Sequence, residues 1–391
     1  MIAETEIDSL ARICASAALS SLANRAPCDP DGFLATMGND PNGAVVDLEI
    51  YSDLTVTIAL GPEKVPGLLP TKIHAKKAAT ALRDHTGLRV GACGLEIGGV
   101  EVAAANGSEG RLKLGADSGA VQRVVDRTAL RDLWAGMRSD VKHNHDKDDA
   151  YRPELDAMRC TPTYVYTTNG HTLQRRETQI FAGFKEFFSI PAIVLDAVSA
   201  LAPGAFAHDQ LDVTFHGLNK LTCGPLTCTW RERVTFPDCE PLFSGERGEH
   251  GLTFQLALAH KSITDALRWL RPCKDKGVIL AANGDGLQLY QGIEESDEDE
   301  TRSTLTINNQ VKPLALGGMV LRTGKGTWGV NAAYLRAALL NCDTQCTLKL
   351  SGEREVMLLV GPASQHLIMP MNLGIQPPKD LAKTAAKGRQ K

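Results

Sequence analysis

One pattern recurs along the chain: a helix, a group of strands, a second helix and more strands, three times over at roughly 120 to 140 residues per round. Ile7 to Leu22 opens the first round. Leu10, Cys14, Ala17, Ala18 and Leu22 share one face of a helix, and Asn24-Arg25-Ala26-Pro27 breaks it. Val45 to Ile50 and Leu54 to Ile58 alternate with period two and predict strands. Leu69-Pro70 opens a second helix over Lys72 to Arg83, and short strands follow through Leu95 to Ile97 and Arg111 to Leu114. Asp126 then caps a helix reaching about Val141, with Leu130, Leu133, Trp134, Met137 and Val141 as its apolar stripe. Strands follow through Tyr164 to Tyr166, Ile190-Pro191 opens a helix ending at Leu201, and Leu211 to Phe215 resumes the strands. The third round has a helix over Lys261 to Leu270, strands around Val278 to Leu280, and a helix after Val330. The paired second helices match best: Pro70 leads into Ala78-Ala79-Thr80-Ala81-Leu82, and Pro191 into Ala197-Val198-Ser199-Ala200-Leu201. Solenoid repeats are shorter, roughly 20 to 50 residues. The period therefore predicts an α+β chain of three similar domains, 1–118, 119–243 and 244–376, with a basic tail over 377–391.

A chain of 391 residues with 43% hydrophobic and 23% charged residues has the composition of a soluble globular protein and can bury sizeable cores. Formal net charge is -4, so any contact with nucleic acid has to come from a local basic patch. Acid collects in Glu294 to Glu300, read as a solvated loop. No apolar run approaches the ~20 residues of a membrane span. The start, Met1-Ile2-Ala3-Glu4-Thr5-Glu6, is unlike a signal peptide, and the ten cysteines read as reduced thiols in small core positions. The expectation is a cytoplasmic protein with no membrane contact.

Catalytic chemistry finds little support. Gly324-Lys325-Gly326-Thr327 lacks the hydroxyl directly after the lysine and the glycine five residues earlier that a phosphate loop needs, so a hairpin turn is the better reading. His143, His145, Asp146 and Asp148 lie in a strongly polar loop, where a solvated charge cluster outweighs a metal site. Cys223 with Cys228, and Cys342 with Cys346, have neither zinc-knuckle spacing nor a second pair nearby. No nucleophile and base stand out, and no cofactor or metal is expected. This profile fits a binding or scaffold protein.

Near the C-terminus, Leu367-Ile368-Met369-Pro370-Met371-Asn372-Leu373 is mostly apolar yet carries a proline. Proline cannot donate to a ladder, so the stretch is an edge strand or a strand end with accessible methionines. A helix pattern over Val330 to Leu340 and a hairpin, Thr347 to Leu350 and Val356 to Val360, precede it. In the middle round, Tyr164 to Leu173 runs through the turn Thr168-Asn169-Gly170-His171, and Phe236-Pro237-Asp238 stands at the second junction. In this order, the motifs resemble those of the bacterial DNA polymerase III β subunit, the β sliding clamp, over nearly the whole chain.

The resemblance implies a ring of two chains closed head to tail around duplex DNA, with no catalysis and no cofactor. Such a ring would act as a processivity factor for a DNA polymerase and be loaded by a separate clamp loader. It implies a cleft for partner peptides between Leu155, Thr168, Gly170, His171, Thr172 and Leu173 on one wall and Leu367, Ile368, Met369, Pro370, Met371 and Leu373 on the other. The inner wall of the ring would carry Lys72, Lys76 and Arg83, then Arg127, Arg131 and Arg138, then Lys261 and Arg268, each set on one helix side, with Arg25 and Arg152 also near DNA. Leu112 and Leu114 would meet Trp269 and Leu270 of the next chain. Asn169 stands where the family usually has aspartate, Thr172 and Asn372 where it has arginine, and Ala192 where lysine is frequent. Loss of both arginines would leave the cleft rim less attractive to acidic peptide residues, and the tail cations Lys379, Lys383, Lys387 and Arg389 would be placed to compensate. A second expectation keeps the fold but makes the chain a specialised paralogue that binds partners without a replicative role. A third, a metal-dependent enzyme using His143 and His145, has least to support it.

Overall fold

The computed structural model describes residues 5–7, 9–23, 34–50, 54–66, 68–91, 94–103, 122–141, 153–201, 212–231, 236, 238–243, 252–273, 276–296, 303–308, 310–342, 344–352 and 355–371. They form two compact units. The first spans Met1–Thr167 and Thr178–Phe236, and the second Thr168–Glu177 and Pro237–Lys391. The division between them falls inside Phe236-Pro237. The second unit takes in the 168–177 segment that the sequence reading assigned to the middle domain.

In the first unit an eight-stranded antiparallel sheet runs in the order β5 (Thr71–His74), β2 (Leu34–Asp40), β3 (Gly43–Ile50), β4 (Leu54–Gly61), β16 (Leu226–Trp230), β15 (Lys220–Cys223), β14 (Val213–His216), β9 (Gln122–Val125). Its middle joint, β4 to β16, pairs Ile58 with Leu226 and Val56 with Cys228, so residues about 170 apart share one ladder. β4 alternates buried and less buried positions along its length, as a strand with one face on a core must. Gly43, at φ 142°, lets the end of β4 come close to the start of β3: the Gly61 carbonyl oxygen lies where a Cβ would stand. Smaller groups are β1 (Thr5–Glu6), β6 (Gly87–Gly91), β7 (Gly94–Ile97) and β8 (Val100–Glu101), and β13 (Phe188–Pro191), β10 (Ala157–Cys160) and β11 (Tyr164–Thr168).

Four helices pack with these sheets. α1 (Ser9–Ala23) lies against α2 (Ala75–Asp84) and α4 (Ala192–Ala200), and α3 (Arg127–Met137) against α4. Alanines let the backbones approach: Ser16 Oγ donates to the Ala79 carbonyl at 2.7 Å, and Arg12 Nη1 to that of Leu82 at 2.9 Å. One apolar core runs from Ile7 through Leu82, Trp134 and Val198 to Trp230.

The helix start predicted at Lys72 is displaced by three residues, while the helix opened by Ile190-Pro191 begins directly after the proline, as expected. Residues 71–74 and 188–191 are strands, and the helices begin at Ala75 and Ala192. The physical reason is tertiary. His74 N donates to Val102 O, and Ile190 pairs with Met158, so ladder bonds hold these residues extended until the alanine run begins.

In the second unit, β12 (Thr172–Glu177), β26 (Ser364–Ile368), β25 (Met357–Val360), β24 (Gln345–Leu350), β17 (Phe254–Ala259) and β22 (Met319–Arg322) form an antiparallel sheet in that order. A second sheet runs β20 (Ser303–Ile307), β19 (Leu287–Ser296), β18 (Gly277–Asn283), β23 (Lys325–Asn331), and β21 (Leu314–Leu316) also pairs with β19. The hairpin turn expected around Gly324 to Thr327 is instead mostly strand, since Lys325 already begins β23. Glu294 and Glu295, read as loop, lie within β19, which runs on to Ser296. Helices α5 (Glu240–Phe243), α6 (His260–Leu270) and α7 (Ala332–Leu340) complete the unit. Its core gathers Phe254, Leu280, Trp328, Leu335, Leu359 and Ile368. Cys160, Cys223, Cys228, Cys239, Cys273, Cys342 and Cys346 are buried free thiols. Burial pushes the Cys239 thiol up to about 11 and raises that of Cys228 further still. Among the described residues no helix is long and apolar enough to cross a membrane.

Candidate partner-binding face and basic helices

The face that concentrates binding chemistry lies on β12 and β26. These strands pair antiparallel, with Thr172 opposite Ile368, Leu173 opposite Leu367 and Arg175 opposite Gln365. Side chains alternate along a strand, so Leu173, Arg175, Leu367 and Gln365 share one face and Thr172 and Ile368 the other. Ile368 is fully buried in the core of the unit, and Leu173 and Leu367 lie outside that core cluster. Two expectations are corrected here. Ile368 is a core residue and not a cleft wall, and Thr172 is buried at 4% exposure and not part of a solvent-facing rim.

The turn feeding β12 is tightly specified. Asn169 Oδ1 accepts from His171 N at 2.9 Å and from Thr172 N at 2.8 Å. Thr168 Oγ1 donates to Thr172 O at 2.6 Å and accepts from Gly170 N at 3.1 Å. Gly170 sits at φ 88°, the left-handed region that glycine enters without strain. The contacts of Asn169 explain why it can replace aspartate: both of its bonds use an acceptor oxygen, which amide and carboxylate share.

β26 ends at Ile368. Met369 N then donates to His171 O at 2.9 Å and Met371 N to Gly329 O at 2.9 Å, which holds the chain on either side of Pro370, the residue with no donor. β26 lies between β12 and β25, so Met369-Pro370 marks a strand end and not an edge strand. Met369 is 51% exposed. The His171 ring stacks on Tyr334 of α7, centroids 5.8 Å apart. Leu173, Leu367, Met369, His171 and Tyr334 thus offer buried apolar floor, exposed thioether and aromatic edge within one unit. Leu155, assigned to the same cleft, belongs to the first unit and is buried there. Asn372, Leu373 and the basic tail lie outside the described residues.

The sequence reading missed the flank of this face. Arg175 Nη1 donates to Glu240 at 2.7 Å, its Nη2 to Gln365 Oε1 at 2.7 Å, and its guanidinium lies 4.5 Å from the Phe243 ring centroid. Charge and spacing along the chain held no signal for this, because the partners are 65 and 190 residues away.

The expected basic stripes are placed as follows. Lys76 is exposed on α2, while Lys72 is on strand β5 and so does not share the helix face. A groove of about 470 Å³ beside α2 is lined by His74, Lys76, Lys77, Thr80, Asp84 and His85. Arg83 is exposed and paired with Asp84 at 3.2 Å, and its donated hydrogen bond holds that carboxyl below the usual range. Arg127 is corrected: it is 4% exposed, and its Nη1 donates to the Leu201 carbonyl, so it anchors α3 and faces no solvent. Arg131 pairs with Asp132 at 2.9 Å. Arg138 reaches Asp196 at 3.4 Å, and Trp134 Nε1 donates to the same buried carboxylate at 2.6 Å. Lys261 and Arg268 are exposed on α6, and Arg268 lies 3.5 Å from Asp265. Arg25, Arg152 and the histidine loop 142–150 lie outside the described residues.

Of the residues expected at a subunit contact, Leu112 and Leu114 also lie outside the described residues. Trp269 is half-buried and donates to Lys312 O at 3.2 Å. Leu270 is corrected: it is 1% exposed and packed in the core of its own unit, leaving no surface for a second chain.

This α+β architecture is the fold of the bacterial DNA polymerase sliding clamps. The Caulobacter crescentus pol III beta matches at 14% identity and a TM-score of 0.65, over 95% of this chain and 100% of that one. The Bacillus subtilis DNA polymerase sliding clamp matches at 11% identity and 0.65 over the same shares, and that of Pseudomonas aeruginosa at 16% and 0.61 over 93% and 98%. At these identities the likeness is one of fold. No protein-family model matches the sequence, and no curated protein matches it by sequence.

Proposed function

We propose that the chain is a DNA polymerase processivity clamp. Two copies close head to tail into a ring around duplex DNA, and partner proteins dock short peptides on the Leu173–Leu367 face. The observation that carries this reading is the extent of the fold likeness, 93–95% of this chain and 98–100% of the sliding clamps compared. A clamp performs no chemistry. It tethers a polymerase by topology, a clamp loader supplies the energy of opening, and phosphate contacts without base reading let it slide in the cytoplasm. Lys72, Lys76 and Lys261, with Arg83, Arg131, Arg138 and Arg268, are the described candidates for those contacts. The peptide face suits leucine or phenylalanine anchors, each worth roughly 1.5–3 kcal/mol when buried. Light scattering at micromolar concentration should give twice the chain mass, and protein loaded on nicked circular DNA should be shed when the circle is cut. A monomer, or retention indifferent to DNA ends, would overturn the ring.

A second reading, a clamp-fold interaction module without a replicative role, is favoured by one observation. Arg127 is buried, and Arg83, Arg131, Arg138 and Arg268 each lie against a carboxylate. A processivity assay with the cognate polymerase and loader separates the two: no gain in product length, with peptide binding intact, selects the second.

A further inference from the structure

The flank of the peptide face is built around one side chain. Arg175 follows Leu173 by two residues on β12 and stands opposite Gln365 as Leu173 stands opposite Leu367, so it continues the same face. Its side chain is 11% exposed and reaches two other elements: Glu240 of α5, Gln365 of β26 and the ring of Phe243 of α5. α5 is a single four-residue turn, too short to hold itself together by helix bonds. Phe243 is buried beneath the guanidinium, while Leu242 beside it is exposed and Glu240 is 49% exposed at the margin. Asp238 Oδ1 accepts from Glu240 N at 3.2 Å and caps the turn from the other end.

We propose that Arg175 is the positioning residue of the peptide site: it clasps the segment from Asp238 to Phe243 to the sheet and so fixes Leu242 as an apolar flank of the Leu173–Leu367 face. The inference rests on reading that face as the peptide site. Only a guanidinium fits the task, because its planar fork satisfies a carboxylate and an amide oxygen together while its flat side stacks on a ring. Lysine offers a single point of charge. A flank held before the peptide arrives removes an ordering cost from binding, and that gain is read mainly in dissociation.

The test uses the full chain and a fluorescent peptide carrying a leucine–phenylalanine pair, with dissociation followed by stopped flow and amide exchange followed at 239–243. Arg175→Met keeps the stem and removes the charge. It should raise koff about tenfold, the size expected for losing a charge-assisted bond. Arg175→Lys should fall between it and wild type, and Glu240→Gln should raise koff about threefold by weakening one of these contacts. Exchange at 239–243 should speed in step with koff across the series, while the melting temperature stays within about 2 °C of wild type. Wild-type koff in Arg175→Met overturns the proposal, and so does faster dissociation with the 239–243 amides still protected. Leu173→Asp serves as the control on the site itself. If it binds like wild type, or if wild type does not bind, the peptide-site reading falls. If it is dead while Arg175→Met is unaffected, only the clasp falls.

Discussion

The apolar sheet face of the second unit and the charged helix faces of the first hold their binding chemistry in opposite ways. Around Leu173 and Leu367, recognition would come from side chains whose environment is fixed by backbone pairing, a tight turn and the Arg175 contacts. On α2 and α3 it would come from cations, and most of the arginines there are already engaged. Arg127 is buried against a carbonyl, Arg138 is tied to Asp196, and Arg83 and Arg131 lie against the next residue in the chain. An apolar residue on a sheet face keeps its character whatever lies beside it. A cation on a helix counts toward a ligand only after its own partners are subtracted. The matched helices make the same point: α2 exposes Lys76, Lys77, Thr80 and Arg83, while α4 is buried without a break from Ala192 to Val198.

The largest effect should come from a carboxylate that looks like part of a charged surface and is structural. Asp196 is buried, accepts from Trp134 Nε1 at 2.6 Å and faces Arg138 at 3.4 Å. Asp196→Ala leaves an indole donor buried without that acceptor and should cost about 3–5 kcal/mol of stability, read by chemical denaturation. Arg138→Gln should cost less, because that side chain is half-exposed and water can replace it. A loss below about 1 kcal/mol for Asp196→Ala would return Arg138 to the pool of cations available to DNA and weaken the contrast between the two regions.

Next in size is the sheet face. Leu367→Asp puts a charge on its floor and should weaken binding of a leucine–phenylalanine peptide about a hundredfold, with the mass seen by light scattering the same as for wild type. Equal binding would show that the face is not where peptides dock, and the comparison would lose its apolar half.

The turn gives a smaller and signed pair. Asn169→Ala removes the acceptor for His171 N and Thr172 N and should cost about 1–2 kcal/mol, whereas Asn169→Asp keeps the acceptor and should stay within about 0.5 kcal/mol of wild type. Thermal unfolding of both variants checks it. A severe loss in Asn169→Asp would mean that the amide NH2 matters, contrary to the bonding seen.

Much of this was legible in the sequence where the signal is local. Asp126 was readable as a cap because capping is decided within three residues, and its Oδ1 accepts from Ala129 N at 2.6 Å. The terminal hairpin and the break at Pro370 were readable from alternation and from the missing donor of proline. What was not legible depends on distant partners. Periodicity placed Arg127 and Arg131 on one helix but held no information on Leu201, whose carbonyl buries the first. Leu270 has the hydrophobicity of an interface residue and of a core residue, and only packing distinguishes them. Arg175 reads as one more charge in Gln174-Arg175-Arg176 until Phe243 and Glu240 are beside it.

The smallest effect sharpens the comparison most. If partners must be subtracted before a helix cation counts, Lys76 and Arg83 should behave differently toward DNA, although both are exposed on α2. Lys76 has no ion pair among the described residues, and Arg83 sits 3.2 Å from Asp84. The measurement is the slope of log affinity against log salt for a linear duplex between about 50 and 200 mM salt, where each phosphate neutralised contributes about 0.9. Lys76→Gln should lower the slope by about that amount. The double variant Arg83→Gln with Asp84→Asn removes a cation together with its anion and should leave the slope at the wild-type value. Arg83→Gln alone should weaken affinity with little change in slope, because it exposes Asp84 to the DNA without removing a phosphate contact. A double variant whose slope falls as far as that of Lys76→Gln would mean that Arg83 releases Asp84 when a phosphate arrives. The ion pairs of the helix faces would then be a resting state of the free protein, and the full basic stripe would be available to DNA.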